Sequence, residues 1–181
     1  LHVIPAGLLL AAFFIMGISA YHLLKKQHTD VFGKSFKIAL TVGLVTSIWV
    51  AIVGDFHGTN VAKTQPAKLA AMEAHWETME NAPIIMFALP NEKEEKNTFE
   101  ILPIPGLLSF LGFHDFKAPV TGLKDIPKDE RPPVLPTFIA FRVMVGIGTF
   151  MILLMIYGWL KRKTIIENTL SWRHTGLHVH Y

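Results

Sequence analysis

Cysteine is absent from all 181 residues, which removes disulfides, thiolate metal sites and the Cys-x-x-Cys-His attachment of a covalently held haem in one step. Charge is scarce as well. Asp, Glu, Lys and Arg make up 17% of the chain against 51% apolar residues, and the mean hydropathy is +0.38, outside the range of ordinary soluble domains. Residues 1–24 and 38–53 hold no charged side chain, and residues 135–160 hold only Arg142. About 20 apolar residues cross the hydrocarbon layer, so the first and last runs are long enough and the middle one is near the lower limit.

These gaps in charge predict an all-α integral membrane fold with three transmembrane helices, at residues 1–24, 36–53 and 137–160, forming part of a larger helix bundle. The first run has neither a basic lead nor a small-residue cleavage pattern, so it does not read as a signal peptide. No initiator Met precedes it, and the chain is expected to start inside a longer protein. The net charge of +3 and pI near 9.2 do not indicate nucleic acid, because the basic residues do not gather into a run with interleaved aromatics.

Their placement reads as topology instead. The connection at 25–35 and its flank carry Lys25, Lys26, Lys34 and Lys37 against Asp30, and the tail at 161–181 opens with Lys161-Arg162-Lys163. Both are expected on the cytoplasmic side, with a cytoplasmic-membrane, multi-pass location. The long loop at 54–136 carries twelve acidic and eight basic residues and is expected to be extracytoplasmic. Gly54, Asp55 and Gly58 are expected to close the second helix. Within the loop, Thr64 before Pro66 suggests a cap, and the helix-forming run at 67–77 predicts one short helix. A charged run at 91–97 separates it from the apolar patch at 106–111, and Pro132-Pro133 stops the chain before the third span.

His2 stands at the outer end of the first helix, and Met144 lies seven residues into the third, roughly 10 Å below its start at 1.5 Å per residue. A His and a Met on facing helices can supply the two axial ligands of a low-spin haem b. Taken alone, a terminal His is equally an interfacial residue, and Met151 and Met155 show that this helix uses Met as filler. Arg142 tips the balance. A guanidinium inside a span is costly and has a partner such as a carboxylate or a haem propionate, unless it snorkels to the surface.

Lys68 and Glu73 are the next candidates, since oxidising a quinol needs a base at its hydroxyl and a polar group to orient the ring. Their five-residue step turns them about 140° apart on a helix, so they are not a supporting pair, and by themselves they read equally as solvated loop charges. His57, His75 and His114 show no metal-ligand spacing and are assigned to no metal. His174, His178 and His180 are expected to lie in a flexible tail.

Three stretches carry a family resemblance across residues 1 to about 170. One is Gly54-Asp55 followed by Gln65-Pro66-Ala67-Lys68-Leu69-Ala70-Ala71-Met72-Glu73-Ala74-His75-Trp76-Glu77-Thr78. The second is Phe141-Arg142-Val143-Met144-Val145-Gly146, and the third is Gly17-Ile18-Ser19-Ala20 with Leu23-Leu24-Lys25. The chain resembles the central part of subunit I of the cytochrome bd-type quinol oxidases, in the form with a short quinol-binding loop. The resemblance implies that His2 and Met144 are the axial ligands of the low-spin haem b, with Arg142 beside it. It also implies Glu73 as proton acceptor and Lys68 as orienting group in the oxidation of ubiquinol or menaquinol.

The high-spin haems b and d, the oxygen site and the proton path are expected only in the complete subunit, acting with a second oxidase subunit in the lipid bilayer. After residue 170 the sequence departs from the family pattern, and the tail is atypical there. A rival expectation is a haem-free, truncated membrane module that serves as an anchor or assembly partner.

Overall fold

The computed structural model describes residues 2–175. Five α-helices and one β-hairpin account for its regular structure: α1 Val3–Leu24, α2 Thr29–Thr64, α3 Pro66–Glu73, β1 Ile84–Asn91, β2 Lys96–Ile104, α4 Leu107–Phe113 and α5 Val134–Thr175. Three helical stretches, Val3–Leu24, Thr29–Thr64 and Lys128–Arg162, are long and apolar enough to cross a membrane. The expected helical membrane fold stands, with a small two-stranded sheet added to it.

The chain divides into two compact units. The first consists of residues 1–53 and 148–181, and the second of residues 54–147, so α2 and α5 contribute to both. In the first unit α1 tolerates Pro5 because the first-turn amides have no intrahelical acceptor. Its core gathers Leu9, Leu23, Phe36, Leu40 and Met155. Met155 is fully buried, and the side chain fits because Gly43 has no Cβ, which would fall 2.4 Å from Met155 Cε. The short link between α1 and α2 is fastened by His22, whose ring stacks on Phe32 at 4.2 Å and whose Nδ1 lies 3.1 Å from Gln27 Oε1. Ser19 Oγ donates to Ser35 Oγ at 3.0 Å between the same two helices.

Several boundaries differ from the sequence expectation. Gly54 and Gly58 do not close α2, which runs on to Thr64. A glycine inside a helix costs only about 1 kcal/mol, and the extension buries Ala62 with Leu69 and Leu108. The helix stops where Gln65 precedes Pro66 and is forced out of the α region, at φ −139° and ψ 65°. Gln65, not Thr64, is therefore the N-cap of α3, and the Thr64 hydroxyl donates to Asn60 O instead. α3 also ends at Glu73, short of residue 77, because Ala74 turns left-handed (φ 51°, ψ 42°) and its amide bonds back to the α3 carbonyls. α5 begins at Val134, three residues early, so Met144 lies ten residues in, about 15 Å along the axis.

The charged run at 91–97 is the tip of the hairpin. β1 and β2 pair antiparallel, from Ile84 opposite Ile104 to Asn91 opposite Lys96, with an irregularity between Ala88 and Pro90, where proline has no amide to donate. Asn91 Oδ1 accepts from the amides of Lys93 and Glu94 and shapes the turn. The apolar patch becomes α4. Two clusters fill the second unit, one around Ala70, Ala71, Ala74, Trp76, Leu123 and Phe138, the other around Ala62, Leu69, Ala82, Ile84, Leu108 and Val120. Residues 171–175 continue the α5 backbone, while the remainder of the expected tail, with His178 and His180, lies outside the described residues.

Candidate functional site

Glu73 is the last residue of α3 and is only 4% exposed. A carboxylate buried to this degree needs a partner, and α5 supplies it. Arg142 Nη2 donates to Glu73 Oε2 at 2.5 Å, with Nη1 3.5 Å from Oε1. The same Nη2 donates to the Ile85 carbonyl of β1 at 2.8 Å, and the guanidinium lies 5.1 Å from the Phe138 ring centroid. The expected carboxylate partner of Arg142 is thus Glu73. Burial raises the Glu73 proton affinity above the ordinary carboxylate range, while the charge and hydrogen bonds of Arg142 oppose that shift.

Arg142 retains one polar atom that this network does not use. Its Nε is buried with no hydrogen-bond partner among the described residues. Beside it, Met86, Phe87, Ala88, Phe138, Ile139 and Val143 complete the lining of a cavity of about 280 Å³. Two residues along α5, Met144 is 59% exposed, so its thioether is not consumed by packing within the second unit. His2 belongs to the first unit, where it is the N-cap of α1 and its carbonyl accepts from the Ala6 amide at 3.3 Å.

Lys68 does not join this group. It is exposed and lines a larger cavity, about 690 Å³, with Gln65, Asp125, Ile126, Glu130 and Thr137 among its walls. Glu73 is not in that lining. The divergence of Lys68 and Glu73 around α3 follows the 140° step between them, one side chain facing solvent and the other the interior.

Some participants carried no signal in the sequence. The Ile85 carbonyl acts through the hairpin, which sequence reading did not foresee. Asn97 of β2 donates to the Ala74 carbonyl at 3.0 Å and accepts from Trp76 Nε1 at 2.9 Å, tying the end of α3 to the hairpin. His75 is buried, with Nε2 unpartnered among the described residues. His114 Nε2 lies 3.2 Å from Asp55 Oδ2. Among the described residues no group of three or more His, Cys, Asp or Glu is arranged to hold a metal ion.

Comparison with known proteins gives these residues a context. Residues 1–179 match the family described as cytochrome bd terminal oxidase subunit I. Cytochrome bd ubiquinol oxidase subunit 1 of Bacillus subtilis is 39% identical over 179 residues, which is 93% of this chain and 38% of that protein. Cytochrome bd-II ubiquinol oxidase subunit 1 of Escherichia coli is 39% identical over 148 residues, 81% of this chain and 29% of that protein. The solved bd oxidase from Geobacillus thermodenitrificans superposes with a TM-score of 0.79 at 34% identity, covering 93% of this chain and 41% of the solved one. The chain therefore spans less than half the length of each of these relatives. A match over nearly all its residues, together with the shared helical architecture, shows that the chain belongs to the cytochrome bd terminal oxidase subunit I family.

Proposed function

We propose that this chain is the quinol-oxidising and low-spin haem b-binding part of a membrane-bound terminal oxidase that passes electrons from quinol to oxygen. The observation that carries the reading is the buried Glu73–Arg142 pair in the second unit. Oxidation of a quinol releases two protons with its two electrons, and a base works best when its proton affinity lies near the operating pH. Burial moves Glu73 in that direction and Arg142 restrains it. Glu73 is the proton acceptor in this proposal. Lys68, on the wall of the larger cavity, orients the quinol through a polar contact to its ring oxygen. The names of the relatives divide between ubiquinol and menaquinol, and the substrate class proposed is a quinol of either kind.

The residues present suit a haem b. Arg142 Nε is a buried donor with no partner among the described residues, which fits an anionic propionate. The Met144 thioether and the His2 imidazole are the two axial donor types of such a site. A haem held by them supplies single-electron acceptance. The side chains of this chain do the rest: Lys68 orients the quinol, Glu73 removes a proton, and Arg142 fixes the charge of Glu73. The high-spin haems b and d, the oxygen site and the second subunit belong to the remainder of the oxidase. The reading further places the protein in the cytoplasmic membrane of a bacterium or archaeon, with residues 54–136 on the extracytoplasmic side, opposite the basic connections.

The test is quinol oxidation by the complete oxidase carrying Glu73→Ala. Turnover is expected to fall by about 10²-fold or more with haem content unchanged. A parallel loss of haem would make Glu73 structural and end its assignment as proton acceptor. Met144→Leu is expected to alter the low-spin haem spectrum, and an unchanged spectrum removes Met144 as a ligand.

A further inference from the structure

His75 stands two residues beyond Glu73, just past left-handed Ala74, and the reading above gives it no task. Its backbone is pinned on both sides. The amide donates to the Ala70 carbonyl at 2.8 Å, and the carbonyl accepts from the Leu123 amide at 2.9 Å. The side chain is 4% exposed. Its ring hydrogen-bonds to the Val120 backbone. Nε2 is buried without a partner among the described residues, so the bond to Val120 runs through Nδ1 and leaves a lone pair on Nε2. A rigidly held, buried imidazole with an unused basic nitrogen calls for an explanation beyond packing.

We infer that His75 is a proton relay, whose Nε2 takes the proton that Glu73 releases and passes it to the exposed carboxylates Glu77 and Glu100. This rests on the proposed role of Glu73 and extends it outward. The O–H bond of protonated Glu73 breaks as an N–H bond forms on Nε2, and that N–H then breaks toward the outer carboxylates or the water around them; no electrons move. Glu77 and Glu100 are the charged groups that act on the ring, from its own segment and from β2. Lys124 pairs with Glu77. Asn97 holds Glu100 in place, donating from Nδ2 to Glu100 Oε1 at 2.7 Å and to the Ala74 carbonyl at 3.0 Å. Burial keeps the imidazole less basic than usual, against the opposing pull of the Val120 carbonyl and the two carboxylates, so Nε2 is free to receive a proton at neutral pH.

The experiment uses the complete oxidase in membranes, with turnover followed against pH in His75→Asn, His75→Glu and Glu73→Gln. Asparagine can keep a donor toward Val120 while removing Nε2, and glutamate restores a group that carries protons. The expected result is at least a tenfold loss in His75→Asn at unchanged haem content, with an altered pH profile and substantial recovery in His75→Glu. Wild-type turnover and pH profile in His75→Asn would overturn the relay. A loss of haem in step with turnover, not recovered by His75→Glu, would also overturn it and make His75 a packing residue. Glu73→Gln separates the two readings: if it is fully active, the quinol assignment of Glu73 itself fails, whereas a slow Glu73→Gln beside a normal His75→Asn removes only the relay.

Discussion

In the first unit the buried polar side chains are Ser19, Thr46 and Ser47, and in the second they are Glu73, His75 and Ser109. Thr46 and Ser47 donate to carbonyls three or four residues back on their own helix, and Ser19 bonds Ser35 on the next helix. The partners in the second unit are distant in sequence. Glu73 meets Arg142 69 residues away, and Ser109 Oγ accepts from the Ala82 amide 27 residues away. Short hydroxyls satisfied by the local backbone are compatible with an apolar helix. A charge, by contrast, is tolerated only where a folded loop brings it a countercharge, and the chemistry collects in the unit that does so.

The largest expected effect removes that countercharge. Arg142→Met leaves Glu73 buried without a cation, which costs about 3–5 kcal/mol of stability, read by thermal or denaturant unfolding of the purified oxidase. The sign with pH follows from the raised proton affinity of Glu73. Between its unfolded and folded values the native state binds the extra proton, so the variant is more stable in acid and loses stability as pH rises through the folded value. Losing Arg142 raises that value further and widens the window. Adding Glu73→Gln to Arg142→Met is expected to recover most of the loss and flatten the pH dependence. Without such recovery, Arg142 stabilises the protein by a route other than this pair.

A glycine in each unit gives the next contrast. A Cβ on Gly122 would lie 2.4 Å from the Trp76 carbonyl oxygen and the Glu77 carbonyl carbon and 2.6 Å from the Thr78 amide nitrogen, all backbone atoms. A Cβ on Gly43 would meet Met155 Cε at 2.4 Å, the far end of a flexible side chain. Gly122→Ala is therefore expected to cost about 3 kcal/mol and Gly43→Ala about 1 kcal/mol, within the range for overpacking. Equal shifts in melting temperature would mean that the segments at residues 76–78 and 120–124 yield as readily as a methionine.

The same contrast governs how much could be read from the sequence. The three spans are plain because each is an uninterrupted apolar run, and the opposite facing of Lys68 and Glu73 follows from helical geometry alone. The end of α2 is not plain. Gly54 and Gly58 are local stop signals, overridden by the burial of Ala62 against residues of α3 and α4. The hairpin was hidden because its charged turn resembles a linker and its strands face each other across a register that only folding sets. Glu73 and Arg142 each drew notice, one by family pattern and one by its cost in a membrane span, yet nothing in a single sequence pairs residues 73 and 142. His75 had no spacing to mark it; its interest lies wholly in a buried nitrogen left unpartnered among the described residues.

Asn97 tests whether the hairpin holds the end of α3. Asn97→Ala removes the bonds to the Ala74 carbonyl, Trp76 Nε1 and Glu100 and leaves the two buried-side partners to water. About 1–3 kcal/mol is expected, with faster amide exchange across residues 74–76 as the direct readout. Unchanged exchange would show that the left-handed turn at Ala74 holds without the hairpin.

The smallest effect concerns the hairpin tip and the start of α5. That helix has no acidic residue in its first turn, and the prolines before it offer no side-chain acceptor, so its first amides need one from elsewhere. Glu92 provides it across 42 residues of sequence, with Oε1 accepting from the Val134 amide at 2.8 Å and the Leu135 amide at 3.3 Å. Next to it, Glu95 pairs with Arg131 at 2.9 Å and Lys128 at 3.0 Å, and both cations hold its carboxyl below the ordinary range. Glu92→Ala is expected to cost about 1 kcal/mol, the usual worth of an N-cap. Glu92→Gln keeps the acceptor oxygen but loses the favourable charge at a helix N-terminus, so about half that loss is expected. Identical stabilities for the two variants would mean that charge, not the acceptor, is what Glu92 contributes, and that water caps α5 as well as the hairpin does.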